Sequence, residues 1–170
     1  EELAGQTARL LNVQPIESTV YPQQIAFNAL PAIGDLEENG YTNEEMKMVW
    51  ETQKIFEDDS ILVNPTCVRI PVFYGHGEAV HVETKSPITT DKALDLLKNA
   101  PGVCVIDQKD PIDFPTAVRD SAGKDPVFVG RVRQDISTDR GLSMWIVSDN
   151  VRKGAALNSV QIAELLKDYL

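Results

Sequence analysis

Cysteine is scarce: 170 residues carry two, Cys67 and Cys104. That excludes a disulfide framework and a Cys-rich zinc site, and no other metal site is expected. Each cysteine lies in an apolar run, Thr66-Cys67-Val68 and Val103-Cys104-Val105-Ile106, which reads as two small buried thiols in a reducing cytosol. Neither has both a basic neighbour and a helix N-terminus to make it a thiolate; Arg69 stands alone near Cys67. Long hydrophobic runs are missing too. The longest apolar stretches are strand-sized, so no membrane span is expected. Positive charge is in deficit: 16 basic against 26 acidic residues give a net charge of −10. That argues against nucleic acid and anionic membranes, which require a basic footprint. It leaves a small anionic substrate open, because local Arg and Lys decide that. The opening residues, Glu1-Glu2-Leu3-Ala4-Gly5, show no initiator Met, no basic region and no signal core. They read as the middle of a helix, and a fragment of a longer protein is expected. No Gly-rich strand–turn–helix fingerprint occurs, so no dinucleotide-phosphate site is expected.

What is present is an ordinary globular composition, 42% apolar with ten Gly and ten Pro, and long enough for a real core. Residues 2–12 read as a short amphipathic helix and 14–24 as loop. Ile25–Leu30, closed by Pro31, reads as strand-like. After the Asn39-Gly40 turn, Thr42 and Glu45 have capping-box spacing. Met46, Val49 and Trp50 follow at helical spacing, to a stop near Asp58-Asp59. Cys67–Tyr74 and Glu78–Thr84 read as two strands of a hairpin whose tip is Gly75-His76-Gly77. In the second, Val80 and Val82 share one face, His81 and Glu83 the other. A helix over Asp91–Asn99 precedes a strand at Val103–Ile106 and a long polar connection over 107–126. Val127–Arg133 and Leu142–Ser148 read as two further strands. A closing helix runs from about Gly154 to Lys167, its stripe formed by Ile162, Leu165, Leu166 and Tyr169. The class is α+β: a mixed, largely antiparallel sheet with helices on one face. One domain is expected over 1–170.

Several residues carry possible chemistry. His76, uncrowded between two glycines, has an imidazole suited to acid/base work, or is simply a turn residue. His81 reads as a strand-face histidine without a chemical role. Arg69, a charge inside Val68-Arg69-Ile70-Pro71, needs a ligand or a partner. Its guanidinium can grip a carboxylate bidentately, or form an ion pair with Glu78 or Glu83. Glu44 and Lys47, at i and i+3, can hold a zwitterionic substrate, or form a solvated pair. Asn150 and Asn158 flank the start of the closing helix. Their carboxamides can bond a ligand amide, and Asn150 can cap the helix.

Four segments together resemble the C-terminal half of the aspartate-β-semialdehyde dehydrogenases. They are Ile25-Ala26-Phe27-Asn28-Ala29-Leu30-Pro31, Glu44-Glu45-Met46-Lys47-Met48-Val49-Trp50-Glu51-Thr52 through Lys54-Ile55, Cys67-Val68-Arg69-Ile70-Pro71-Val72-Phe73 with Gly75-His76-Gly77-Glu78, and Ser148-Asp149-Asn150 through Lys153-Gly154-Ala155-Ala156-Leu157-Asn158-Ser159-Val160-Gln161-Ile162-Ala163-Glu164. The resemblance runs from about Tyr21 to the C-terminus. It implies a fold similar to the C-terminal domain of glyceraldehyde-3-phosphate dehydrogenase.

The resemblance also implies an activity: reduction of β-aspartyl phosphate to aspartate semialdehyde with NADPH, on the way to lysine, methionine and threonine. In that family a cysteine thiolate attacks the acyl phosphate, phosphate leaves, and hydride reduces the thioester. By motif position His76 matches the acid/base histidine and Arg69 the arginine for the substrate carboxylate. Glu44 matches the acidic substrate-binding residue and Lys47 the lysine of the phosphate site. Asn150, and less directly Asn158, fall where the family touches the nicotinamide end of NADP. A homodimer formed through the sheet face is implied, as is a contact of residues 150–170 with a nucleotide-binding part. The nucleophile motif does not occur in this chain, so the chain alone is expected to be inactive. Two other readings remain: a non-catalytic dimerisation module or relative lacking the nucleophile, and an N-acetyl-glutamyl-phosphate reductase. Seven residues of straight strand would hold Arg69 and His76 about 23 Å apart. Service in one site therefore predicts a bend at Pro71 and Gly75, bringing the two side chains within roughly 10 Å.

Overall fold

Side-chain hydrogen bonds, more than β-ladders, organise the first seventy residues. The structure, a computed structural model, describes residues 1–106 and 110–169. Positions 107–109 of the expected connection, and Leu170, lie outside the described residues. The chain divides into two compact units, Glu1–Val72 and Phe73–Leu170.

In the first unit, α1 (Glu2–Leu11) buries Leu3 and Gln6. Leu3 joins Ile25, Ala26 and Leu30 in a small core flanked by Leu10 and Tyr21. Gln6 is the polar centre of that core. Its Oε1 accepts the N–H groups of Ile25 and Ala26 at 2.9 and 3.2 Å. Its Nε2 donates to the Glu17 carbonyl at 2.9 Å and to Ser18 Oγ at 3.3 Å. This corrects the strand expected at Ile25–Leu30. Two of its N–H groups are committed to Gln6, Phe27 takes φ +59°, and only Leu30 makes a β-bridge, antiparallel to Arg69.

The second helix, α2 (Asn43–Phe56), starts as its sequence dictates: Thr42 and Glu45 form a complete capping box. Such a cap contributes about 1 kcal/mol. It ends at Glu57, which adopts the left-handed conformation.

Among the described residues of the second unit, four strands lie in the order β1-β4-β3-β2: β1 (His76–Glu83), β2 (Val103–Ile106), β3 (Val127–Gln134) and β4 (Gly141–Ser148). β1 with β4 and β4 with β3 are antiparallel, and β2 with β3 is parallel. The sheet is mixed and largely antiparallel, and the fold class is α+β as expected. The expected hairpin is corrected. β1 pairs along its whole length with β4, from His76 opposite Ser148 to Glu83 opposite Gly141. Among the described residues, Cys67–Tyr74 pairs only at Arg69. Pro71 has no N–H to give to a ladder, and Gly75 at φ +72° ends any straight strand.

Helix α3 (Thr90–Lys98), capped by Thr89, packs on β2 and β3. A π-helical turn, Ala117–Ser121, lies against β3 and β4. The interior of this unit holds Ala93, Phe128, Val129, Leu142 and Val147. A second π-helical turn, Arg152–Ala156, leads into α4 (Leu157–Leu166). The expected burial of the cysteines is also corrected: Cys67 is half-buried and Cys104 exposed. β2 lies at the sheet edge, so its alternate side chains have less to pack against.

Candidate functional site

In the first unit, the N-terminal turn of α2 is tied to the segment that carries Arg69. Glu45 makes the connection. Its Oε2 accepts the Thr42 N–H at 2.8 Å, closing the cap. Its Oε1 accepts the Cys67 N–H at 2.9 Å. These two N–H bonds, Thr42's first, hold the Glu45 carboxyl below the usual glutamate range despite burial. Spacing predicted the cap, but nothing in the sequence marks the bond to Cys67.

Arg69 is exposed, and its own backbone exchanges both hydrogen bonds with Leu30, at 2.8 and 2.9 Å. Its guanidinium lies 6.0 Å from the centroid of the Tyr21 ring, a cation–π placement. Glu83, one carboxylate considered for it, is paired with Arg140 at 2.7 Å. Among the described residues of its unit, Arg69 has no ion pair. An aromatic face holds the stem of a cation while leaving its N–H fork open to an anion.

Glu44 and Lys47 meet as the spacing predicted. Lys47 Nζ lies 2.5 Å from Glu44 Oε1, and about half of each side chain is in solvent. Glu44, through hydrogen bond and charge, raises the Lys47 ammonium above its ordinary pKa.

In the second unit, His76 opens β1 and is exposed. The backbone on either side of it is tightly enclosed. A Cβ on Gly75 would stand 2.8 Å from Ala117 Cβ, 3.0 Å from the Ser148 carbonyl oxygen and 3.2 Å from Ser121 Oγ. A Cβ on Gly77 would stand 2.7 Å from the Trp145 ring. That ring is itself fixed, since its N–H donates to the Pro115 carbonyl at 3.0 Å. The remaining tie is Asn150, whose Oδ1 accepts the Gly75 N–H at 3.1 Å.

Asn150 is thus not the cap of the closing helical segment, one of the roles considered for it. Asp149 takes that part: its Oδ1 accepts the N–H groups of Val151 and Arg152 at 2.9 and 2.8 Å. Its Oδ2 accepts the Gly123 N–H at 2.7 Å. Gly123 first, then Arg152, hold the Asp149 carboxyl below the usual range. Asp wins the cap because a carboxylate has two acceptors and full charge at a helix start. Asn158 accepts from Lys153 Nζ at 3.1 Å, and Gln161 accepts from the same ammonium at 2.9 Å. Asn158 is therefore engaged with Lys153 of the preceding π-helical turn rather than with the His76 turn. His81 stands on the β1 face, 3.3 Å from Asp135.

The structure brings together Glu44 with Lys47, and Asn150 with the turn that presents His76. Arg69 belongs to the first unit and His76 to the second. Asp149, Trp145 and the Cys67 contact of Glu45 are supports that spacing did not disclose, because each includes a long-range bond to backbone.

Sequence and fold comparisons point the same way. Residues 1–153 match the family model for the semialdehyde dehydrogenase dimerisation domain. The aspartate-semialdehyde dehydrogenase of Legionella pneumophila is 63% identical over 166 residues, 98% of this chain and 48% of that protein. Aspartate semialdehyde dehydrogenase II of Vibrio cholerae, solved in complex with ASA, superposes with a TM-score of 0.95 at 62% identity, covering 99% of this chain and 50% of that one. The enzyme of Candida albicans, solved with NADP, gives a TM-score of 0.62 at 26% identity over 87% of this chain and 46% of that one. The chain spans about half the length of the relatives it matches.

Proposed function

As the chain belongs to the semialdehyde dehydrogenase dimerisation-domain family, we propose that it is the substrate-binding and dimerisation part of an NADP-dependent aspartate-semialdehyde dehydrogenase. The observation that carries this reading is the 62% identity at a TM-score of 0.95 to the Vibrio enzyme over 99% of the chain. The whole enzyme would reduce β-aspartyl phosphate to aspartate semialdehyde, with release of phosphate, in lysine, methionine and threonine biosynthesis. It would do so in the cytoplasm, in keeping with a chain that carries only two cysteines.

Each residue has a role suited to its surroundings. His76 takes the proton of an attacking thiol and returns it later, work that needs an exposed imidazole on fixed backbone. Arg69, stacked by Tyr21, grips the substrate carboxylate with its open fork. Lys47, kept protonated by Glu44, attracts the phosphate. Glu44 orients that lysine and accepts from the substrate amino group.

The chain fits the nicotinamide end of NADP in one respect. A backbone N–H can only donate, so the Asn150 oxygen must face Gly75. Its Nδ2 then points elsewhere, and among the described residues of this unit it has no acceptor. That leaves a donor pair for a carboxamide oxygen. When bound, the cofactor supplies the hydride. Asn158, committed to Lys153, shapes the helix beside that contact.

Residues 1–170 would together act as one substrate-binding and dimerisation domain. Exposure of Ile162, Leu165 and Leu166 on α4 supports its contact with the nucleotide-binding part. For the homodimer, the sheet face that carries Val80 and Val82 of β1, with Met144 of β4 opposite Val80, is the proposed surface.

The test is a chimaera. The matching half of the Vibrio relative is replaced by this chain, and NADP- and phosphate-dependent oxidation of aspartate semialdehyde is followed. Turnover is expected, and His76→Ala should lower it by roughly 10²–10⁴-fold. A folded, dimeric chimaera without turnover would reject the enzymatic reading and leave the non-catalytic dimerisation module.

A further inference from the structure

We infer that Asn150 is a positioning residue for His76, acting through the Gly75 peptide. The inference rests on the reading of His76 as the acid/base group. His76 is exposed, and no hydrogen bond to its imidazole is seen among the described residues of its unit. The backbone therefore sets where its Cα–Cβ bond starts, and no ring hydrogen bond among those residues competes with that. That backbone enters β1 through Gly75 at φ +72°, a conformation with few intrinsic restraints on a glycine.

Three contacts remove that freedom. Ala117, Ser121 and the Ser148 carbonyl fill the space where a side chain would stand at Gly75. The Trp145 ring closes the opposite side at Gly77. These two are steric and exclude wrong positions. The Asn150 bond to the Gly75 N–H, at 3.1 Å, is the directional one. It holds the Tyr74–Gly75 peptide, and so anchors the near side of Gly75, whose two dihedrals lead into the Gly75–His76 peptide.

The topology makes this bond economical. His76 is paired with Ser148, the last residue of β4. The chain leaves β4, uses Asp149 to start the next helical segment, and at once turns the Asn150 side chain back onto the start of β1. Oxygen toward Gly75 leaves the amino group of the same carboxamide outward. One planar group then joins the histidine turn on one edge to whatever accepts from Nδ2 on the other. The ligand class at that edge is a neutral acceptor such as a carboxamide oxygen.

Nuclear magnetic resonance of the 170-residue chain, with amide hydrogen exchange, tests this directly. Asn150→Ala should speed exchange of the Gly75 amide by about five- to tenfold. It should also shift and broaden the His76 ring signals, while those of His81, held by Asp135, stay in place. Asn150→Asp keeps an acceptor and should preserve protection at Gly75. In the chimaera, Asn150→Ala should lower kcat by roughly ten- to hundredfold with the KM for aldehyde nearly unchanged. Unchanged Gly75 exchange and His76 signals in Asn150→Ala would overturn the inference, as would a rise in the KM for NADP alone. So would Asn150→Asp losing as much protection as Asn150→Ala. If instead His76→Ala turns over like the unmodified chimaera, the acid/base role falls, and the exchange and ring signals still report the positioning contact.

Discussion

Glu45 Oε1 accepts the backbone N–H of Cys67 at 2.9 Å, across 22 positions of sequence. The other oxygen of the same carboxylate closes the cap of α2 at Thr42. One side chain therefore sets both the start of the Glu44/Lys47 helix and the approach to Arg69. Glu45→Gln keeps one acceptor and turns an NH2 group toward the other N–H. Thermal unfolding should move down by roughly 4–8 °C, and exchange of the Cys67 amide should accelerate. In the chimaera the KM for aspartate semialdehyde should rise, because the Arg69 segment is no longer held against α2. Unaltered unfolding and KM would show that the bond to Cys67 has no such role.

Acid should weaken the first unit through Glu2. The Glu2 carboxyl is lowered to about 2: burial pushes it up, but the N–H of Val20, the hydroxyl and N–H of Thr19, and the N–H of Tyr21 outweigh that. Its unfolded value is near 4.5. A depressed carboxyl stabilises the fold fully above the unfolded value, and the contribution disappears as pH falls toward the folded one. Glu45 acts in the same direction. Denaturant midpoints should therefore decline between pH 4.5 and about 2, and Glu2→Gln should flatten that decline while lowering the midpoint at neutral pH. A profile identical in the two proteins would reject the assignment to Glu2.

Where structure followed from local chemistry, the sequence was a sufficient guide. The capping box at Thr42 and Glu45, the alternation of Val80 and Val82, and the Glu44–Lys47 spacing all depend on neighbours a few residues apart. Arg69 and His76 are singled out because their motifs resemble those of a family, and their roles are proposals. Two of the misreadings share a contributing cause. At Ile25–Leu30 and Cys67–Tyr74 the residue types favour strands, but a distant side chain, Gln6 or Glu45, takes a backbone N–H that a ladder would need. Asn150 and Asp149 are both good capping residues by type. Only the return of Asn150 to Gly75, 75 positions away, separates their roles.

Gln6 provides a stringent case of such long-range control. It is 2% exposed, and its carbonyl oxygen serves two buried N–H groups, of Ile25 and Ala26. Gln6→Ala orphans both and opens a cavity beside Leu3. The expected loss is roughly 2–4 kcal/mol by chemical denaturation. Gln6→Glu retains the acceptor and removes the donation to Glu17 and Ser18 while facing the Glu2 carboxylate. It should therefore also destabilise, and more so at neutral than at acid pH. Equal stability of Gln6→Ala and the unmodified chain would mean that 25–30 holds its loop form for another reason.

The exposed pair on α2 should behave in the opposite way. Lys47 and Glu44 are half in solvent, where an ion pair adds little to stability. The Lys47 ammonium is raised above its ordinary value by Glu44. A raised cation contributes below its unfolded pKa and loses that contribution only as pH climbs through the folded one, so nothing changes near neutrality. Lys47→Met should accordingly leave the unfolding temperature within about 2 °C of the parent. Its effect should fall on function. In the chimaera the KM for phosphate should rise roughly ten- to hundredfold, the scale of one charge-assisted hydrogen bond. The KM for NADP should not move. Glu44→Gln should raise the phosphate KM less, since it frees the lysine without removing it, and should weaken aspartate semialdehyde through its lost bond to the amino group. A Lys47→Met chimaera with an unmodified phosphate KM would remove Lys47 from the phosphate site and leave it a solvated partner of Glu44.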